Sequence, residues 1–170
     1  MQKILGVKSA VFIVVGLFIT FTQSHSAGTG LFALALFGIG LAVANLISTI
    51  WAKQNYLAVE SLPVTLAALA VGLFAAFIPQ TDPTAQALAF VYLVAGWSVI
   101  QAAMELYLAN RAGFRSRAGK DGLISAGLGL ALGLLFLIVQ LDIVSAVGFF
   151  GAYLVVSGVH LAIAALTPQK

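Results

Sequence analysis

The chain has 170 residues, 62% of them apolar, with 8 Lys+Arg and 5 Asp+Glu giving a net charge of +3. Soluble domains run about 45–50% apolar and about 25% charged, and so short a chain cannot hide this much apolar surface in its own core. The mean hydropathy of +1.11 and the lack of cysteine exclude a soluble enzyme, a disordered chain, a nucleic-acid binder and a disulfide-stapled domain.

A helix crosses a hydrocarbon core of about 30 Å with about 20 mostly apolar residues. In chain order the predicted spans are 4–22, 29–51, 62–78, 84–108, 122–139 and 143–166. The third is the shortest, about 25 Å at 1.5 Å per residue. The start is read as a span and not as a cleaved leader, because Lys8 interrupts the apolar run a leader needs. Short polar breaks rich in Gly and Pro separate the spans, at 23–28, 53–55, 80–83, 109–121 and 140–142. A single helix over the last two spans would be far too long for one crossing, so they are read as a hairpin.

Six spans place Lys3, Lys8, Lys53, Arg111, Arg115, Arg117, Lys120 and Lys170 on one side. The first, third and fifth connections hold no Lys or Arg. The positive-inside rule then puts both termini in the cytoplasm. The fold class is all-α: a polytopic membrane bundle of six helices in a single domain, 1–170.

The chain also repeats itself. Gly16-Leu17-Phe18 recurs as Gly72-Leu73-Phe74 and Gly133-Leu134-Leu135, and Gly40, Gly96 and Gly158 follow these glycines by 24, 24 and 25 residues. Each unit (about 1–55, 56–118 and 119–170) is one hairpin, and all three enter the membrane from the same side. They are parallel repeats about an axis along the membrane normal. Gly16, Gly40, Gly72, Gly96, Gly129, Gly133 and Gly158 are the expected helix-packing positions, with Ser125, Gly129, Gly133 and Ala68, Gly72, Ala76 as small-residue rows.

Gly72 through Pro79 (Gly-Leu-Phe-Ala-Ala-Phe-Ile-Pro), Ala95-Gly96-Trp97 leading to Glu105 and Arg111, and the glycine spacing of 122–165 resemble the HdeD-like family of small bacterial membrane proteins. Ala102 stands where that family often has the glycine of a Gly-x-x-Glu. The resemblance implies an inner-membrane protein linked to acid resistance or another stress, an accessory component with no catalytic residues to carry over. The alternative is a small proton or solute channel or transporter subunit. The partners implied are membrane lipids and either further copies of the chain or another membrane protein.

Ionisable and polar residues within spans are the functional candidates. Glu105 is read either as a snorkelling or Lys8-paired carboxylate, or as a titrating group in a cytoplasmic vestibule. His160 either hydrogen-bonds within the bundle or responds to protons near pH 6.5. Asn45 and Gln101 each lie five residues beyond their repeat glycine, Gly40 and Gly96. With Glu105 and His160 they suggest a polar layer in the cytoplasmic leaflet. Lys8 reaches headgroups or pairs with Glu60 or Glu105. Glu60 and Asp121 are expected to complement the starts of the third and fifth helices, and Asp82 and Asp142 to form turns. Arg111, Arg115, Arg117 and Lys120 would attract lipid headgroups. No phosphate loop, His-Glu-x-x-His or Gly-x-Ser-x-Gly occurs, and the two histidines, 25 and 160, fall on opposite sides. No enzyme, metal or cofactor is therefore expected.

Overall fold

The computed structural model describes residues 2–51, 62–79 and 82–167. These form six helices and no strand: α1 (Gln2–Phe21), α2 (Ala27–Trp51), α3 (Leu62–Phe77), α4 (Pro83–Ala112), α5 (Arg117–Ile138) and α6 (Ile143–Leu166). Five are long and apolar enough to cross a bilayer, and α3 is a shorter apolar helix of 16 residues. The protein is a multi-pass helical membrane protein.

Capping chemistry sets the helix starts. Asp82 Oδ1 accepts from the Thr84 and Ala85 N–H groups at 2.9 and 3.2 Å, opening α4 with Pro83 in its first turn. Asp142 Oδ1 accepts from the Ser145 N–H at 3.0 Å and opens α6. Ser26 does the same for α2 through the Thr29 N–H at 3.2 Å. Each satisfies a donor that the helix start leaves open. At the other end of α3, Pro79 disfavours helical backbone at Ile78, and the helix stops at Phe77.

Ser145 Oγ also donates to Asp142 Oδ2 at 2.6 Å. This bond, with the Ser145 N–H, holds the Asp142 carboxyl below the usual aspartate range. A depressed folded-state value means the cap's contribution is present above the ordinary aspartate value and is lost as pH falls through the folded one. Asp142→Ala is expected to lower the melting temperature at neutral pH and to reduce the loss on acidification. Melting curves from neutral to acidic pH test this; an unchanged acid slope would refute it.

The expected break at 109–121 is shorter than its sequence suggests. α4 continues to Ala112 and α5 starts at Arg117, leaving four residues between them. Gly113 turns the chain at φ 84°, a value that favours glycine. The Gly119 N–H donates to Ser116 Oγ at 3.0 Å. Ser116, not Asp121, is therefore the cap of α5, and Asp121 lies in its second turn. Glu60, the other expected helix-start acid, lies outside the described residues.

The most extensive helix pairings are α1 with α6, α4 with α5 and α2 with α3. α2, α4 and α6 touch one another, and α1, α3 and α5 flank them. Phe37 of α2 meets Trp97 of α4 and Phe150 of α6, while Gly30, seven residues earlier on α2, meets Phe90 and Val147. The three inner helices thus run the same way. In their midst Phe37 is ringed by Phe12, Trp97 and Phe150 with centroids at 4.8, 5.8 and 5.9 Å, all edge-to-face, the arrangement aromatic quadrupoles favour.

Backbones approach closely where glycine permits. A Cβ on Gly72 would come within 2.8 Å of the Ile39 nitrogen, and one on Gly158 within 3.0 Å of the Ile13 nitrogen. Gly16, Gly40, Gly129 and Gly133 also lie against a neighbouring helix. Gly96 does not: it is exposed, and a Cβ there would meet nothing within 4 Å. Ala76 is likewise exposed, and the buried row of α3 is Thr65, Ala68, Gly72 and Ala75. The small residues Gly30, Gly38 and Gly151, which the repeat does not single out, make approaches as close.

Candidate functional site

Among the described residues every Lys and Arg lies at the end of the bundle where α1 starts and α6 finishes, here the basic end. Buried polarity is skewed the same way. Ser9, Asn45, Ser48, Thr65, Ser98, Gln101 and Ser157 are buried in the basic-end half, whereas Gln86 is buried at the opposite end.

Helical rise places these groups above the aromatic knot. Asn45 is eight residues beyond Phe37 and Glu105 eight beyond Trp97, so both lie about 12 Å toward the basic end. Gln101 stands between Trp97 and Glu105. From α6, the Tyr153 hydroxyl donates to Gln101 Oε1 at 3.0 Å, a buried bond joining two inner helices. Ser9 of α1 donates to the Gly158 carbonyl at 2.8 Å. Glu105 is half-buried and within electrostatic range of Lys8, His160 and Tyr153. The structure thus brings Lys8, Gln101, Glu105 and His160 into one neighbourhood.

His160 has a defined contact. Its Nε2 is 3.1 Å from the Asp121 carbonyl oxygen. A carbonyl only accepts, so Nε2 carries the proton and donates. This bond ties α6 to α5, whose mutual contact is much smaller than that of α5 with α4.

Other polar side chains satisfy themselves locally. Ser48 and Ser98 donate to the carbonyls of Ala44 and Val94, one turn back, at 2.6 and 2.7 Å. Among the described residues, four buried atoms on the inner helices have no hydrogen-bond partner: both amide atoms of Asn45, Trp97 Nε1 and Ser157 Oγ. Ser157 lies near the Tyr153 hydroxyl but outside hydrogen-bonding geometry. Tyr153, Ser157 and Ser9 are members of the layer that sequence reasoning missed. Tyr153 had a readable signal, a phenol in mid-span, since a buried Tyr hydroxyl needs a partner.

Among the described residues no three His, Cys, Asp or Glu side chains are grouped to hold a metal ion. A groove of about 340 Å³ lies toward the opposite end, between α4 and the α5–α6 turn, lined by residues including Leu88, Tyr92, Phe136, Leu137 and Gln140. None of the polar-layer residues lines it. No family model, curated protein or solved structure matches the chain.

Proposed function

We propose that the chain is an HdeD-like inner-membrane protein that serves the cell under acid or other stress as an accessory component. It acts through its helix faces and its polar layer and not as a pathway across the bundle. The observation that carries this reading is the aromatic knot. Phe37, Trp97 and Phe150 fill the space between the three inner helices directly beneath the polar layer. A transported ion or solute would have to displace close-packed rings.

We also propose three parallel hairpin repeats with cytoplasmic termini. The recurring helix starts at Ser26, Asp82 and Asp142 support the repeat. So does the cyclic order of close pairings, each flanking helix lying on the inner helix of the preceding unit. The gathering of described Lys and Arg at one end supports the orientation.

Two experiments test the proposal. The chain lacks cysteine, so single Ser26→Cys and Arg115→Cys variants give labelling without background. A membrane-impermeant reagent should modify Ser26→Cys in intact cells and Arg115→Cys only after lysis; the reverse pattern would overturn the orientation. In proteoliposomes at acidic pH, proton flux should equal that of protein-free vesicles, while deletion of the gene should reduce survival of an acid challenge. Flux that disappears in Glu105→Gln would establish the channel reading instead.

A further inference from the structure

The α4–α5 turn combines features that orientation alone does not require. Arg111 is in the last turn of α4, Arg115 in the four-residue link, and Arg117 and Lys120 in the first turn of α5. The four cations ride on helix ends and a braced link, not on a long loop. The Ser116 N–H donates to the Gly113 carbonyl at 2.9 Å, and Ser116 caps α5. Gly119 packs against Gly113, and a Cβ on Gly122 would reach Ala109 Cβ at 3.0 Å. A braced display loses less conformational freedom when it binds.

All four cations are exposed, and Arg111 also donates to the Tyr107 hydroxyl at 3.3 Å. α5 has no acidic residue in its first turn, where an anion would be favoured. The link also presents Phe114, 46% exposed among the charges. A soluble anion has no use for that ring, whereas a lipid interface does. Depth agrees: the 30 residues of α4 rise about 45 Å, against a hydrocarbon core of about 30 Å and about 40–45 Å with headgroups.

We propose that this turn docks the headgroup of an anionic phospholipid. Arg111, Arg115, Arg117 and Lys120 supply the positive charge that holds its phosphate, and Phe114 lies among the headgroups beside them. The proposal rests on the membrane-embedded reading, but on neither the orientation nor the role in stress.

The test uses the full chain in nanodiscs of mixed phosphatidylglycerol and phosphatidylcholine, where both faces are accessible. Lipid retained after detergent release is counted by native mass spectrometry. Phosphatidylglycerol should be retained over phosphatidylcholine, and each cation changed to Gln should lower that preference about fivefold at low salt. Equal retention of the two lipids by the wild type, or an unchanged preference in the fourfold Gln variant, overturns the proposal. Should that variant fail to fold, Phe114→Trp keeps all four charges. Its added fluorescence, over the Trp51 and Trp97 background, should be quenched more by brominated phosphatidylglycerol than by brominated phosphatidylcholine; equal quenching overturns the site. Displacement of the lipid by inorganic phosphate would make this a soluble-phosphate site and defeat the lipid assignment. Orientation and acid survival can fail their own tests without altering any of these readouts.

Discussion

Gly38→Leu is expected to unfold or disperse the bundle, whereas Gly96→Leu should leave it folded. A Cβ at Gly38 would lie 2.5 Å from the Ala68 carbonyl oxygen and 2.8 Å from the Gly72 nitrogen. These are backbone atoms, which cannot swing aside as a side chain does. α2 and α3 would have to separate along their main contact. Overpacking a core costs about 1–3 kcal/mol and sometimes more, and a clash with backbone belongs at the upper end. In a membrane no hydrophobic drive restores the lost packing, because lipid competes for the same surface. Gly96 has open space around it, and Gly96→Ala should gain stability, up to about 1 kcal/mol from reduced backbone entropy. Melting in detergent, followed by size exclusion, separates the cases. Equal melting of Gly38→Leu and wild type would show that the close α2–α3 approach is not required.

The second large effect concerns Asn45. It is 1% exposed, and neither its Nδ2 nor its Oδ1 has a hydrogen-bond partner among the described residues. An unsatisfied buried polar group costs about 1–3 kcal/mol. Asn45→Val removes that cost at similar size and should raise stability by about that amount. Asn45→Asp should do the reverse and more, since an unpaired buried charge is dearer than an unpaired amide. Denaturant unfolding of the two variants beside wild type measures both. A loss of stability in Asn45→Val would mean that the amide has a partner in the membrane and that its contribution is favourable.

Much of the architecture was legible because lipid imposes one rule: backbone polar groups must bond within their own segment. Long apolar runs therefore had to be helices, and each predicted span coincides closely with an observed one. The exception is the 109–121 stretch. There charge density implied a loop, but Ser116 and Gly113 provide a cap and a turn that let both helices continue beyond the apolar zone. Asp121 has the sequence position of a helix-start acid because it precedes Gly122 and an apolar run. The helix starts one turn earlier, at a serine whose signal was hidden among arginines.

The polar layer was legible in part. Asn45, Gln101, Glu105 and His160 stand out as polar residues in apolar spans. Their partners do not, because Tyr153 reaches Gln101 from 52 residues away and His160 finds a backbone carbonyl on α5. Gly96 shows the limit of repeat arithmetic. It keeps the spacing of Gly40 and Gly158 but faces outward, since a recurring interval records descent or chance as readily as contact. The row on α3 failed by one residue for a geometric reason. Its buried face alternates steps of three and four, as the 3.6-residue turn requires, and so selects Ala75 over Ala76.

The Asp82 and Asp142 caps also bear on biogenesis. In the proposed orientation the tips of the second and third hairpins must be carried outward, each with an aspartate and no lysine or arginine. A potential negative inside pushes such a tip across, with work of about 2.3 kcal/mol per full charge at 100 mV. It holds back the arginine-bearing link by the same amount per charge. An energised membrane thus assists both late insertions electrophoretically, whereas the first hairpin, tipped by Ser26, threads with no such pull.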